Sequence, residues 1–402
     1  FLFLLLLPPL FSSSSSFFFF FVLLLISSSS SFFLLLAKVL RIPWACLVTG
    51  ERLSPAAQAA ALEVLGAEAD RDEQDATLAT LELAQERVRG ASSAVAPYVD
   101  TLPTLRELRN AWLWPERVAR VEGTELATAV VLHRAAIERL HERLVAALPS
   151  DSYPVAQLTM DVWLWAVACM ESRAMKVKIH QQDRVVMVPV GDMANHATGA
   201  AVTLPSLRYH ERDNCIEIAT GPTGVAAGSE LCLCYGTDLG NAHLMLHYGF
   251  ALSDNPQDTV ALLLAPPEEE PGFQETKVAL LSMLPGAGLE HKLPRHTTGL
   301  RAALPALQFS LRLLLLSEDE LNDLVEGFMA AEDKVTHLRT HLWAQPVSAD
   351  NEAAARAVLS GLRDHGRGIL AELGPEDPDQ DLRHYLLGRD AILHALLEAW
   401  PL

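Results

Sequence analysis

Cysteine and basic side chains are both scarce in this chain of 402 residues. It contains five cysteines, and 31 lysines and arginines stand against 50 aspartates and glutamates, which gives a net charge of −19. Because nucleic-acid binding needs a basic face, this balance argues against a DNA or RNA partner and allows a protein partner with a basic or neutral patch. An odd number of cysteines without paired spacing favours reduced thiols inside a cell over a disulfide framework.

The cysteines and histidines also lack a strong metal-ligand pattern. Cys232 and Cys234 flank one residue of a predicted strand and are expected to share a face, but zinc needs two more soft ligands at short spacing, and none follows. His243 and His247 are four positions apart, a spacing that can bind a metal. Such a pair more often forms one face of a helix, and we adopt that interpretation. The sequence therefore predicts no metal site.

Charged residues are missing from the first 36 positions, which consist of Phe, Leu, Ser and Pro except at Val22 and Ile26. The unbroken apolar run from Phe17 to Ile26 is ten residues long, too short to cross a bilayer, and no basic segment precedes it. The four residue types share codons with pyrimidines in the first two positions, so residues 1–36 are interpreted as a low-complexity artefact. We expect no stable membrane association.

What the chain does contain is a buried-strand pattern that ends in polar residues. Residues 185–190 are mostly apolar and β-branched, and the pattern breaks at a proline and a glycine. Asp192, Asn195 and His196 follow within five positions. A strand that ends in this way places hydrogen-bonding groups beside a site, although Asn and Asp in a loop also serve to satisfy local backbone groups.

A second strand pattern, Leu231–Tyr235, ends in Tyr-Gly and is followed by Asn241 and Tyr248. Together with the Asp-Met-Ala-Asn-His segment, these residues resemble the C-terminal half of a SET domain, in the branch that contains the Rubisco large-subunit lysine methyltransferase. In that family the two segments form a knot-like crossing around the methyl donor. The resemblance implies an α+β fold with a SET-domain β-fold, a helical insert and a C-terminal all-helical domain.

The resemblance also predicts the domain organisation. It places a SET domain at residues 37–262, a helical insert at about 54–155, and a Rubisco-methyltransferase-like substrate-binding domain at 263–402. The segment Lys38–Trp44 is similar to the family's early strand, and Ser-Leu repeats stand where the family has a Gly-x-Gly segment before that strand. Helix signals agree, because Ser54 can cap a helix that begins with proline, and Asp377 precedes another proline.

The function that the resemblance implies is S-adenosyl-L-methionine-dependent methylation of a lysine in a non-histone protein, by a monomer in the cytoplasm or a plastid. The implied residues are Tyr235 as the catalytic residue, Ser172, Arg173, Asp192, Asn195, His196 and Tyr235 at the methyl donor, and Arg173 and Tyr248 along the substrate channel. Arg173 would also be favoured at a helix C-terminus without any such function.

The chemistry of these residue types suits methyl transfer to a neutral amine. The Tyr235 hydroxyl can orient the amine and the methyl group, contributing positioning and electrostatics, and the ring of Tyr248 offers a π-face to an ammonium. A core tyrosine with a satisfied hydroxyl explains the same residue. Two other functions stay open, a catalytically impaired SET-fold binding protein and a protein-histidine methyltransferase, and binding of the methyl donor would separate the first of these from an enzyme.

Overall fold

The computed structural model describes residues 38–221, 224–226, 228–343 and 345–400. The prediction for residues 1–36 therefore lies outside the described residues. The strands are β1 (Lys38–Pro43), β2 (Met175–Ile179), β3 (Gln182–Val186), β4 (Asn195–His196), β5 (Ser206–His210), β6 (Cys215–Ala219), β7 (Cys232–Leu233), β8 (Thr259–Leu263) and β9 (Glu290–Pro294).

The helices account for most of the remaining regular structure. They are α1 (Pro55–Leu65), α2 (Arg71–Arg89), α3 (Ala96–Val99), α4 (Pro115–Ala119), α5 (Glu125–Ala147), α6 (Met160–Arg173), α7 (Asn241–His243), α8 (Pro271–Leu281), α9 (Thr297–Leu314), α10 (Glu318–Ala330), α11 (Lys334–Leu338), α12 (Ala349–Leu373) and α13 (Gln380–Ala399). Two π-helical turns, Leu244–Tyr248 and Arg339–Trp343, follow α7 and α11.

The chain divides into two compact units. The described part of the first comprises residues 38–47, 177–182, 188–221, 224–226 and 228–234. The described part of the second comprises residues 48–176, 183–187, 235–343 and 345–400. These units do not test the predicted boundary near residue 262, which stays a prediction.

The first unit contains a three-stranded antiparallel sheet in which β6 lies between β1 and β5. Ile216 of β6 stands opposite both Ile42 and Tyr209. The turn between β5 and β6 includes Asn214 at φ +44°, a left-handed conformation that asparagine tolerates better than most residues. The predicted early strand is therefore confirmed.

The first unit also contains a short pair of parallel strands. In it β4 pairs with β7, so that Asn195 stands opposite Cys232 and His196 opposite Leu233. The strand predicted from Leu231 to Tyr235 is thus only two residues long, because the Cys232 N–H and carbonyl bond to Thr203 and neighbouring backbone rather than continuing a ladder. The prediction that the two cysteines share a face is wrong, since Cys232 is buried and Cys234 is exposed.

The predicted buried strand at residues 185–190 is also shorter than expected. Its regular part ends at Val186, and Met187 forms an isolated bridge with Val48. Val190 then adopts φ +69° and Gly191 opens a 3-10 turn, so the strand geometry is lost before the polar residues begin. A Cβ at Gly191 would lie 2.6 Å from Ile218 Cδ1, which explains why glycine is needed at this position.

The second unit is mostly helical, and the predicted cap at Ser54 is confirmed. The Ser54 hydroxyl accepts from the Ala57 N–H, and Ser317 and Glu320 form a complete capping box. The predicted cap at Asp377 is wrong, because the helix begins two residues later, with Asp379 as its N-cap. Asp377 instead accepts from the Asp379 N–H and pairs with Arg120.

The C-terminal region departs from the all-helical prediction at one place. Strands β8 and β9 form an antiparallel pair, with Val260 opposite Leu293 and Leu262 opposite His291. The burial of alternate residues in β9, ending at Pro294, shows the two-residue period of a strand in a segment too short for a stable helix. The rest of this region is helical and packs around buried leucines of α9, α12 and α13.

The described residues contain no single helix long and apolar enough to cross a membrane, although the bent pair α9 and α10 passes the same test of length and composition.

Candidate active site

The predicted donor residues of the first unit lie on the 3-10 turn and on β4. Asp192 is buried on the turn Gly191–Met193. The Asn195 side chain is exposed, and its amide donates to Glu230 Oε1 at 2.6 Å. His196 is half-buried, and burial lowers the pKa of its imidazole, so the ring is neutral near pH 7 and can both donate and accept. Within β4, Asn195 thus lies at the surface and His196 does not.

Ser172 and Arg173 end helix α6 in the second unit. The Ser172 hydroxyl donates to the Ala168 carbonyl at 2.7 Å, one helical turn earlier, which satisfies the hydroxyl within the helix. Arg173 is the last residue of α6 and is half-buried. Their predicted functions at the methyl donor and in the substrate channel stay predictions.

Tyr235 and Tyr248 form a stacked aromatic pair in the second unit. Their ring centroids are 5.1 Å apart, with an angle of 24° between the ring planes. Phe250 approaches Tyr248 edge-on at 6.1 Å. Burial, followed by repulsion from Tyr235 and Glu171, raises the pKa of Tyr248 to about 12, so its hydroxyl stays protonated at neutral pH. The structure thus brings together the predicted catalytic tyrosine and the predicted channel tyrosine.

The π-helical turn Leu244–Tyr248 is fixed at its end by Gly249. This glycine adopts φ +80°, and its N–H donates to the Leu244 carbonyl at 2.9 Å. A Cβ there would lie 2.1 Å from the Arg109 carbonyl oxygen. The neighbouring amide of Asn110 donates to the His247 carbonyl at 2.5 Å. These contacts determine where the chain leaves the turn that carries Tyr248.

A cluster that the sequence interpretation missed lies against this turn. The Glu171 carboxylate lies between two imidazoles, with Oε1 2.6 Å from His133 Nε2 and Oε2 3.3 Å from His247 Nδ1. The Trp112 indole N–H also donates to Oε2, at 2.9 Å. Burial opposes ionisation, but the hydrogen bonds to His133 and His247 outweigh it and lower the pKa of Glu171 to about 2.

One sequence signal could have found this cluster. His133 lies on the same helical stripe as the buried Val130 and Ile137 of α5, where an apolar residue would be expected. A polar residue on a buried stripe requires a partner. The sequence does not say which partner, because Glu171 and His247 come from distant parts of the chain.

Comparison with known proteins gives the fold. No protein-family model matches the chain. A crystal structure of the SET domain of LSMT bound to methyllysine and AdoHcy superimposes with a TM-score of 0.66 at 20% identity, covering 90% of this chain and 81% of that one. A structure of Rubisco LSMT bound to AdoMet superimposes with a TM-score of 0.64 at 21% identity, again over 90% of this chain and 81% of that one.

The chain has the SET-domain fold of LSMT. The predicted α+β fold class and the predicted resemblance are thereby confirmed. Among curated proteins, the chloroplastic [fructose-bisphosphate aldolase]-lysine N-methyltransferase of Arabidopsis thaliana is 26% identical over 185 residues, 44% of this chain and 37% of that protein. The actin-histidine N-methyltransferase of Danio rerio is 27% identical over 269 residues, 65% of this chain and 43% of that protein. The LSMT-like chain therefore spans less than half the length of these two relatives.

Proposed function

We propose that this LSMT-like chain is an S-adenosyl-L-methionine-dependent protein-lysine N-methyltransferase that acts on a non-histone protein. The stacked Tyr235–Tyr248 pair carries the proposal, because two stacked aromatic rings, with the Tyr248 hydroxyl protonated at neutral pH, suit the positioning of an amine. The solved LSMT structures bound to lysine, methyllysine and AdoMet support it through the shared fold.

The residues of the first unit fit the polar groups of the methyl donor. Asp192 contributes a carboxylate, Asn195 an exposed amide and His196 a neutral imidazole, which can meet an ammonium, a carboxylate and the edge of an adenine. When bound, S-adenosyl-L-methionine supplies a methyl group on a sulfonium. In this proposal Asp192, Asn195 and His196 bind it, with Ser172 and Arg173 at the end of α6 as further contacts.

The residues of the second unit would act on the amine. A lysine amine would have to lose its proton to solvent before its nitrogen lone pair could accept the methyl group that the bound donor would supply. Tyr235 is proposed to orient the amine through its hydroxyl, and Tyr248 with Arg173 to line the channel. With a pKa of about 12, Tyr248 holds its own proton at neutral pH and does not act as a base.

Histidine methylation is the second candidate, favoured by the similarity to the zebrafish actin-histidine N-methyltransferase over 65% of the chain. The same aromatic pair would orient an imidazole instead of an amine. The proposed substrate is a protein in both cases, and the compartment is proposed to be the cytoplasm or a plastid. A single active chain, without a partner subunit, is the proposed oligomeric state.

The test is transfer of labelled methyl groups from S-adenosyl-L-methionine by the full chain to aldolase, the Rubisco large subunit and actin, with the modified residue located by mass spectrometry. Label on lysine supports the proposal, and label on histidine supports the second candidate. Donor binding without transfer to any of a broad set of proteins from a cell extract would favour a non-catalytic binding protein. Absence of donor binding would remove both enzyme proposals.

A further inference from the structure

The His133–Glu171–His247 cluster carries an inference that does not depend on methyl transfer. Among the described residues, these three form the one group of histidine, cysteine or acidic side chains whose ligand atoms all lie within 4.8 Å of one another. They come from α5, α6 and the π-helical turn, so a shared ligand would join three separate elements of the second unit. We propose that the cluster is a binding site for a divalent transition-metal ion, with zinc as the best match.

The three side chains supply the kind of ligand atoms that zinc binds. Two imidazoles and one carboxylate form a His₂Glu set, which binds zinc in proteins and leaves a fourth position for water. Nitrogen donors of this kind favour zinc and similar ions over calcium or magnesium, which prefer oxygen. The side chains of all three residues retain between 19% and 26% of their exposure, so an ion can reach them from solvent.

The distances between the ligand atoms are also compatible with a zinc site. With metal–ligand bonds of about 2.1 Å, neighbouring donors in a tetrahedral site lie about 3.4 Å apart. His247 Nδ1 already lies 3.3 Å from Glu171 Oε2. His133 Nε2 lies 2.6 Å from Oε1, the other oxygen of the same carboxylate. Since the ligand atoms of the three residues all lie within 4.8 Å of one another, rotation of the side chains can bring them to tetrahedral separations.

The surroundings of the cluster also suit a cation. The Trp112 indole N–H fixes the Glu171 carboxylate, as groups around a metal site commonly fix its ligands. His243 lies next to His247, with ring centroids 4.4 Å apart. Arg134, the cation above the Trp112 ring, is paired with Glu138 at 2.6 Å.

The experiment titrates zinc chloride alone into the chelator-treated full chain by calorimetry. We expect one ion per chain at the cluster, at least tenfold weaker binding in Glu171→Gln and in His133→Gln, and a zinc-dependent rise in melting temperature that both variants lose. The matched control is His341→Gln, because His337 of α11 and His341 of the following π-helical turn form a second histidine pair, with ring centroids 4.1 Å apart. This control should bind zinc like the unmodified chain.

Cobalt replaces zinc in a second measurement, because its visible spectrum reports the ligands. Tetrahedral bands without thiolate charge transfer support the site, whereas strong thiolate bands would assign the ion to cysteine and overturn it. Substoichiometric binding to the unmodified chain, or unchanged affinity in folded Glu171→Gln, would also overturn it. If Glu171→Gln does not fold, His133→Gln decides the same question, because the His133 side chain is partly exposed.

Discussion

In the first unit, Asn195 and His196 lie on a strand of two residues at the surface, and Asn195 has an exposed carboxylate as its side-chain partner. In the second unit, Tyr248 lies in a π-helical turn beside a stacked ring, a left-handed glycine and a half-buried carboxylate between two imidazoles. The Asn195 side chain is thus open to solvent, whereas Tyr248 is packed against a second ring and against a turn whose glycine lies close to the Arg109 backbone. Substitutions around Tyr248 should therefore have larger effects than those around Asn195.

The largest expected effect follows from Gly249→Ala. Its φ of +80° is strained for alanine, and the new Cβ would lie 2.1 Å from the Arg109 carbonyl oxygen. We expect a loss of about 3–4 kcal/mol in the free energy of unfolding, measured by urea denaturation. The control is Gly286→Ala, which has φ +82° and its nearest heavy atom 4.0 Å away, and should lose only about 1 kcal/mol. Equal losses in the two variants would show that the contact with Arg109 is unimportant.

Next in size is the effect of Tyr235→Phe on the proposed reaction. The ring still stacks on Tyr248, so the fold and the donor affinity should be retained. Loss of a hydroxyl used mainly in the transition state should lower the rate about 10²-fold. Single-turnover methyl transfer measures the rate, with Tyr209→Phe as the control, since the Tyr209 hydroxyl bonds Asn214 within the β5–β6 hairpin. A retained rate would make Tyr235 a packing residue.

A smaller effect is expected on the acid stability of the second unit. The pKa of Glu171 is about 2, below its ordinary value of 4.5, so the ionised carboxylate stabilises the fold above pH 4.5 and this contribution disappears as the pH falls towards 2. Its loss should amount to at most about 3 kcal/mol. Unfolding of Glu171→Gln should depend less on pH across this window than unfolding of the unmodified chain.

The control for this measurement is Glu82→Gln. Burial raises the pKa of Glu82, so removing this carboxylate should not reduce the loss of stability in acid. The free energy of unfolding of both variants could depend on pH in the same way as that of the unmodified chain. In that case the hydrogen bonds from His133 and His247 would not stabilise ionised Glu171 in the fold.

The sequence separation of the residues in a contact explains how much could be predicted from the sequence. Ser54, Ser317 and the β5–β6 hairpin were predictable because capping and turn chemistry involve residues only a few positions apart. The cap at Asp379 was not, because Arg117 binds both oxygens of its carboxylate from a distant helix, at 2.6 and 2.7 Å. The His133–Glu171–His247 cluster was missed for the same reason.

The smallest effect should come from Asn195→Ala, which tests the exposed side chain of the first unit. Its side chain bonds Glu230 at the surface, so removing it leaves no buried polar group unpaired. We expect binding of S-adenosyl-L-methionine to weaken by about 1 kcal/mol, measured by calorimetry, with Ser229→Ala next to Glu230 as the control that leaves binding unchanged. A loss above about 3 kcal/mol would mean that donor binding buries Asn195. Substitutions in this segment would then have effects as large as those in the turn that carries Tyr248. Unchanged affinity would remove Asn195 from the proposed donor site.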